Sequence, residues 1–363
     1  MKRLLSLILI ICTLLTLASC SDKTYEPVPS TDEEKTVLMT FSFEGEKYEL
    51  KYELYRALFL NHSAEYDKGD KSFWATPEAE DAKREINATV TSLALDIFAA
   101  LHLSKKIGYD PYSANAEKRI EEYVKESVEG SDTIVGFGGD YDKYLESLKS
   151  MNLNYSVQTL MLRYSIACEK INEYYRGTAD VDAPTPDMEA GALEYTKDDV
   201  LAFYRGEDSS RISIVVFNAD YISREKVEER RDKLDSFASL GDALNYAASF
   251  TPGDPEDVIN GALIGRNSSS TFYSEVTDAA FSMDVGDVSP VIHVVTDKSS
   301  EYWIVIKMDK TDSYVDENYE AVENIYVSQR INEIIDGVKI SLAENKAEKD
   351  AFATLDHSKI SMN

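Results

Sequence analysis

The chain has 363 residues, with 38 basic against 66 acidic side chains and a formal net charge of −28. That balance excludes nucleic acid, whose phosphates would be repelled, and an electrostatic hold on anionic lipid. Hydrophobic residues at 43% and aromatics at 10% exclude an unstructured chain, and the length allows two ordinary domains, or one inserted into another.

Residues 1–20, MKRLLSLILIICTLLTLASC, open on Lys2 and Arg3, run through an apolar stretch from Leu4 to Leu17 and close on small residues before Cys20. This is the pattern of a targeting segment. Leu17-Ala18-Ser19-Cys20 matches the bacterial lipobox, in which cleavage leaves a diacylglyceryl cysteine as the new N-terminus. Two acyl chains suffice for stable anchoring, so Cys20 is the expected lipidation site and the outer face of the bacterial cytoplasmic membrane the expected location. Cys12 leaves with the signal. Cys168 is then the lone thiol of the folded part, without an internal disulfide partner, in an apolar helical pattern that reads as core.

Residues 21–36 are polar, contain Pro27 and Pro29, and read as a tether from lipid to protein. TVLMTFSFEGEKYELKYELYRAL predicts a short strand or hairpin passing into a helix, and NHSAEYDKGDKSFW a loop. A long helix follows, with Ile86, Val90, Leu93, Ile97, Phe98 and Leu101 at helical spacing and Gly108 placed to stop it. Three more helices are expected in SANAEKRIEEYVKESVEG, YDKYLESLKSM and SVQTLMLRYSIACEKINEYYRG. TADVDAPTPDMEAGAL, acidic and with Pro184 and Pro186, reads as a linker.

Thr196 opens the next helix, with Asp199 three residues on as an acidic capping box. From Arg211 the pattern changes. RISIVVFN is strand-like, REKVEERRDKLDSFASLGDALNYAASF helical with a break near Gly241, INGALIG a short strand and SEVTDAAFSM a short helix. SPVIHVV and EYWIVIKM complete a βααβαββ order, an α+β module around a small antiparallel sheet. The C-terminal stretch is helical again, with Tyr319, Val322, Tyr326, Ile334, Val338 and Leu342 near one face that should dock on the N-terminal helices.

From about Arg211 to Lys310 this organisation resembles a parvulin-type peptidyl-prolyl isomerase domain. The residues that carry the resemblance are DALNYAASFTPGD (242–254), NGALIG (260–265), TDAAF (277–281) and VGDVSPVI (285–292), in the family's order and at nearly its spacing. The flanking helices are similar to those of the SurA/PrsA-like extracytoplasmic foldases, and the lipobox matches the lipoprotein branch of that family. The resemblance implies a helical chaperone domain from residues 37–195 and 315–350, and an inserted parvulin-like domain over 208–312.

The active site departs from the family. Its first-strand histidine falls on Ser213, or on Ile214 if the register slips by one, and its last-strand histidine on Trp303; His293, on another strand, restores neither. Asp254 is a loose counterpart of the family's Cys or Asp beside the proline pocket and is the catalytic candidate. The apolar pocket maps onto Phe272 and Val276, with Phe281 and Trp303 as further substrate-binding candidates. Ordinary core packing is the competing reading of all four.

Four scattered histidines lack metal-ligand spacing, and no cofactor or metal is expected. The function implied is a membrane-anchored chaperone for unfolded or partly folded exported polypeptides, gripped by Tyr and aliphatic side chains, with an isomerase module weakened or inactive. An active isomerase of the same family is the alternative within the class. A ligand-binding or surface interaction lipoprotein is the alternative outside it. Homodimerisation through the helices is left open.

Overall fold

The hairpin comes first in the computed structural model, which describes residues 24–131, 134–177, 193–251, 253–267, 273–295 and 299–362. The targeting segment with Cys20, most of the acidic linker, and Phe272 lie outside these residues. β1 (Val37–Phe43) and β2 (Glu46–Lys51) pair antiparallel, with Phe43 opposite Glu46. Between them Glu44 and Gly45 both take positive φ, 48° and 84°, the conformation that lets a two-residue turn follow the twist of its strands.

α1 (Tyr52–His62) follows directly. The expected loop after it instead holds two helical turns, Ala64–Asp67 and Lys71–Ala75. Polar composition disguised an anchor here: Trp74 is buried, and its indole N–H donates to Asp67 at 2.7 Å. α2 (Ala79–Lys106), α3 (Ala114–Glu129), α4 (Tyr141–Ser150) and α5 (Tyr155–Tyr175) match the four expected helices. Gly108, at φ 95°, ends α2 as the sequence implied. Its N–H and that of Tyr109 return to the carbonyls of Lys105 and Ser104 and satisfy the last turn.

The second half continues with α6 (Lys197–Arg205), entered through the capping box in which Thr196 and Asp199 bond each other's backbone N–H. β3 (Ser209–Asn218), α7 (Arg224–Asp235), α8 (Leu240–Ala248), α9 (Pro255–Asn260), β4 (Ala262–Gly265), α10 (Ser274–Ser282), β5 (Ile292–Val295) and β6 (Ser300–Met308) make up the sheet module. Its order is therefore βαααβαββ. α9 is the helix the sequence reading missed, started by Asp254 as cap and Pro255 at the first helical position. The helical break expected near Gly241 falls at 236–239, and Gly241 itself lies inside α8. α11 (Asp312–Glu317), α12 (Tyr319–Glu344) and β7 (Lys346–Glu348) complete the chain's main elements.

These elements form two compact units, one of residues up to 192 together with Ile334–Asn363, the other Leu193–Glu333. The α+β class is as expected. In the first unit every residue of α2 from Leu93 to Ser104 is buried. A helix apolar all round either spans a membrane or sits in a core; α2 is long and apolar enough for the former, but most of that stretch is enclosed by protein. The hairpin, α1 and α5 pack around it.

The C-terminal segment returns to this core through Val338, Leu342 and Ile360. β7, read from sequence as more helix, instead pairs antiparallel with β1 in a β2-β1-β7 sheet. His357 is buried there, its Nε2 within 3.0 Å of the Tyr55 hydroxyl and 3.1 Å of Asn87 Oδ1.

Residues 24–36 were expected to be a free tether throughout, yet they are fixed to this unit. Ser30 donates to Glu53, and Arg56 to Glu34, each at 2.5 Å. Asn154, the cap of α5, donates to both carboxylates at 3.0 and 3.1 Å. Burial works to raise the pKa of Glu34, but hydrogen bonds from the Thr31 N–H, Arg56 and Asn154 hold it down to about 2. A carboxylate held below its ordinary value contributes stability in full above that value and loses it as pH falls toward the folded pKa. Glu34→Gln should therefore lower the urea midpoint at pH 7 and flatten the fall in stability from 4.5 toward 2. A variant with the wild-type acid profile would refute this assignment.

Candidate functional site

The sheet of the second unit has the order β4-β3-β6-β5, all neighbours antiparallel. β3 and β6 pair along eight residues, from Arg211 opposite Met308 to Asn218 opposite Glu301. Side chains alternate between faces along each strand, so this register decides which residues can form a site. One face carries Val215, Phe217, Ile304 and Ile306, packed with Val227, Leu234, Ala247 and Val258 from α7, α8 and α9. The other carries Ile212, Ile214, Trp303 and Val305, packed with Ile264 of β4 and with Val276 and Ala280 of α10.

The two candidate positions on the first strand are thereby separated. Ser213 is fully buried on the first face, where its hydroxyl donates to the Val258 carbonyl at 2.7 Å. Ile214 lies opposite Val305, two residues along β6 from Trp303, and shares the α10 face with it. Trp303 is itself flanked by Val216 on β3 and Ile292 on β5. Ile214, Val216, Ile292 and Trp303 are all half-buried. Together they make an apolar strip at the end of the sheet, walled by Tyr273, whose ring meets Trp303 edge-on at 5.4 Å. Sequence reasoning missed Tyr273 and Val216. Only strand parity and the position before α10 could have pointed to them.

The remaining candidates divide differently. Val276 is fully buried beneath α10 and supports the strip from below without lining it. Phe281 is half-buried at the other end of α10, under the guanidinium of Arg266 at 4.4 Å and the ammonium of Lys307 at 5.7 Å. Burial, and then the charge of Arg266, lower the Lys307 pKa. That ammonium is held by the Ala280 carbonyl and the Ser210 hydroxyl, at 2.6 and 2.7 Å. Asp254 is exposed, and its carboxylate accepts the Glu256 N–H at 2.9 Å as the cap of α9. This is a structural duty sufficient to explain it.

The chemistry open to the strip follows from what touches it. Glu301 accepts from the Trp303 indole at 3.0 Å, and Tyr273 has its pKa raised by burial and then by Glu301. A phenol that holds its proton and a carboxylate engaged by an indole do not make an acid–base pair poised near neutrality. His293 points to the other face of β5, its ring against Tyr302 at 4.7 Å and its Nε2 at 2.9 Å from the Ser300 hydroxyl. The arrangement can bind apolar side chains and a flat ring.

The segment before β5 fixes the edge of this sheet. Gly286, at φ 95°, places its N–H on the Lys307 carbonyl at 2.9 Å. The Ser289 N–H reaches Val305 O at 2.8 Å, and its hydroxyl accepts the Val305 N–H at 3.0 Å. Val-Gly-Asp-Val-Ser thus pairs along β6, and Pro290, which has no N–H to give, hands over to β5. Gly261 is needed for a different reason. At φ 65° a Cβ there would lie 2.6 Å from Ile212 O and 2.3 Å from Met308 Sδ.

Neither a family model nor a curated protein matches this chain. Among solved structures it is similar to the foldase protein PrsA of Streptococcus pneumoniae, at 16% identity over 88% of this chain and 97% of that one, with a TM-score of 0.29. It is also similar to the PrsA foldase of Lactococcus lactis, at 14% identity, 90% and 99% coverage and a TM-score of 0.25. A third is the peptidylprolyl isomerase PrsA of Bacillus cereus, at 16%, 75% and 90%, and 0.24. Likenesses this distant decide nothing about the site, which has to be judged on its own residues.

Two substitutions test the face assignment. Ser213→Ala leaves a buried carbonyl unpaired and should cost about 1–3 kcal/mol in urea unfolding, with the emission of Trp303, read as the difference from the matching Trp303→Phe protein so that Trp74 cancels, unchanged in the native state. Ile214→Ala should instead shift that emission while costing less stability. The reverse pattern would put Ser213 on the Trp303 face.

Proposed function

We propose that this chain is a lipid-anchored extracytoplasmic chaperone of the SurA/PrsA-like class, whose sheet unit holds peptide segments without isomerising them. The observation that carries the reading is that Ile214 and Trp303 share one face of the sheet, Trp303 at the position to which the resemblance assigns the family's last-strand histidine and Ile214 at the one-residue-slipped alternative to Ser213 for the first. Prolyl isomerisation faces a barrier of about 18–20 kcal/mol. A catalyst must bind the twisted amide better than the planar one. The half-buried strip offers contact area to an apolar or prolyl side chain, and the polar groups described beside it, Tyr273 and a Glu301 carboxylate engaged by the Trp303 indole, form no acid–base pair. Ground-state and twisted peptides then gain alike, which is binding without acceleration.

Other features support the same reading. The order of motifs from DALNYAASF to VGDVSPVI is that of the parvulin domain, and an all-helical stretch precedes it. The client class is extended, partly apolar polypeptide emerging from export. Anchoring would be through Cys20, and the acidic surface keeps the chaperone from adhering to anionic lipid.

The test follows cis–trans exchange of Xaa-Pro peptides by NMR with the chain from Ser21 onward, alongside an aggregation-prone client. The expected result is exchange no faster than in buffer, together with suppressed aggregation. Trp303→Ala should weaken capture of a proline- and leucine-containing peptide several-fold. Exchange accelerated by the wild type and lost in Trp303→Ala would make the protein an active isomerase. Absence of both activities would favour a surface interaction lipoprotein.

A further inference from the structure

Strand parity gives the α10 face of the sheet a charge at each end. On that face β6 places Glu301, Trp303, Val305 and Lys307, and the described residues set beside them by β3, β4 and β5 carry no charge. Six residues of strand, about 20 Å, separate Glu301 from Lys307. Lys307 is shut in, its ammonium held by the Ala280 carbonyl and the Ser210 hydroxyl beneath the ring of Phe281. Toward Lys307 the face is buried, at Ile212 and Val305. Toward Glu301 it opens, through half-buried Val216, Trp303 and Ile292 to exposed Asn218. Glu301 is therefore the charge that an incoming peptide meets.

The carboxylate of Glu301 serves both rings of the strip. It accepts the Trp303 indole N–H at 3.0 Å. After burial, its charge is what raises the pKa of Tyr273. Tyr273 and Trp303 meet at 88°, their centroids 5.4 Å apart. Two rings at a right angle beside a carboxylate suit an ammonium or guanidinium group: ring faces attract the cation, and the carboxylate pairs with it. A carboxylate can accept about four hydrogen bonds, so one indole N–H does not saturate it. Glu275, exposed in the first turn of α10, adds a second acidic side chain shortly after Tyr273.

Spacing adds a further condition. Side chains two residues apart on one strand, as Glu301 and Trp303 are, recur at about 7 Å. An extended peptide has the same period, and lying along β6 it sets alternate side chains on Trp303 and Glu301. The chain's own proline-containing stretch, TADVDAPTPDMEAGAL, is a poor occupant, with four acidic residues and no basic one. We infer that the strip selects among clients by charge, taking extended segments in which a lysine or arginine stands two residues from a proline or aliphatic residue. The cation sits at Glu301 and the apolar group on Trp303. This rests on the sheet unit's holding peptide segments at all, and makes Glu301 the residue that sets which ones.

The test uses three fluorescently labelled peptides, identical except for Arg, Gln or Glu two residues before a proline. They are titrated with the chain from Ser21 onward and read by anisotropy. The Arg peptide should bind roughly three- to tenfold more tightly than the Gln peptide, and the Glu peptide more weakly than either. Glu301→Gln, which keeps an oxygen for the indole, should bring the Arg-to-Gln ratio close to one, and Glu301→Lys should favour the Glu peptide. Glu229→Gln removes an equal charge from an exposed position on α7, which packs on the other face, and should keep the wild-type ratio. Moving Arg next to the proline should lose most of the gain. The selection is overturned by a wild-type ratio of one with the Gln peptide still bound, or by a ratio that survives Glu301→Gln. An equal fall in Glu229→Gln, or an equal gain from adjacent Arg, overturns it too. Failure of all three peptides to bind would remove the holding reading, and this one with it.

Discussion

The pairing of β3 with β6 governs the sheet unit. Once Arg211 stands opposite Met308, the two-residue period of each strand leaves no freedom in what faces α10 and what faces α7, α8 and α9. A slip of one residue would bring Ser213 to the α10 face and bury Ile214 against the Val258 carbonyl, stranding a polar group on each side. The Ser213–Val258 hydrogen bond and the packing of Val305 on Val276 each oppose that slip. Gly261 allows α9 to turn into β4 against the carbonyl of Ile212, so the third strand depends on the same register.

Much of this was legible in the sequence. Helical periodicity located α2, α3 and α5, the Thr196–Asp199 box located the start of α6, and Gly108 the end of α2. These are local signals, written within one or two turns of chain. What escaped was set at long range or hidden by composition. β7 is three exposed residues, Lys-Ala-Glu, with no periodicity of its own. It is a strand because β1 lies beside it, with the Thr40 hydroxyl bonding Ala347 O across 307 positions. α9 was masked by its proline, though Asp254-Pro255-Glu256 is a helix start. β3 gave no clean alternation because both faces of its sheet are covered, which is why Ser213 and Ile214 could not be told apart.

The site illustrates the same limit. Val276 and Trp303 belong to one apolar cluster, but the sequence could not distinguish a residue that lines a surface from one that supports it. Val276 supports, Trp303 lines, and Asp254 caps a helix. Phe281 proved to be half-buried under two cations at a distance from the strip. The proposed strip, of aromatic and branched side chains with its acidic neighbour held by an indole, is suited to contact rather than proton transfer.

The first unit draws its core from both ends of the chain. Tyr55 and His357 meet across 302 positions, and Val338, Leu342 and Ile360 fill the same interior as β1 and α2. Under the proposed export, N-terminus first, the hairpin and the apolar length of α2 would reach the far side of the membrane before β7 arrives to close the sheet. The sheet unit is contiguous and can finish folding in the interval. The part synthesised first is the part completed last, and while it waits it would be an unfinished chain of the very kind the proposed function takes as client.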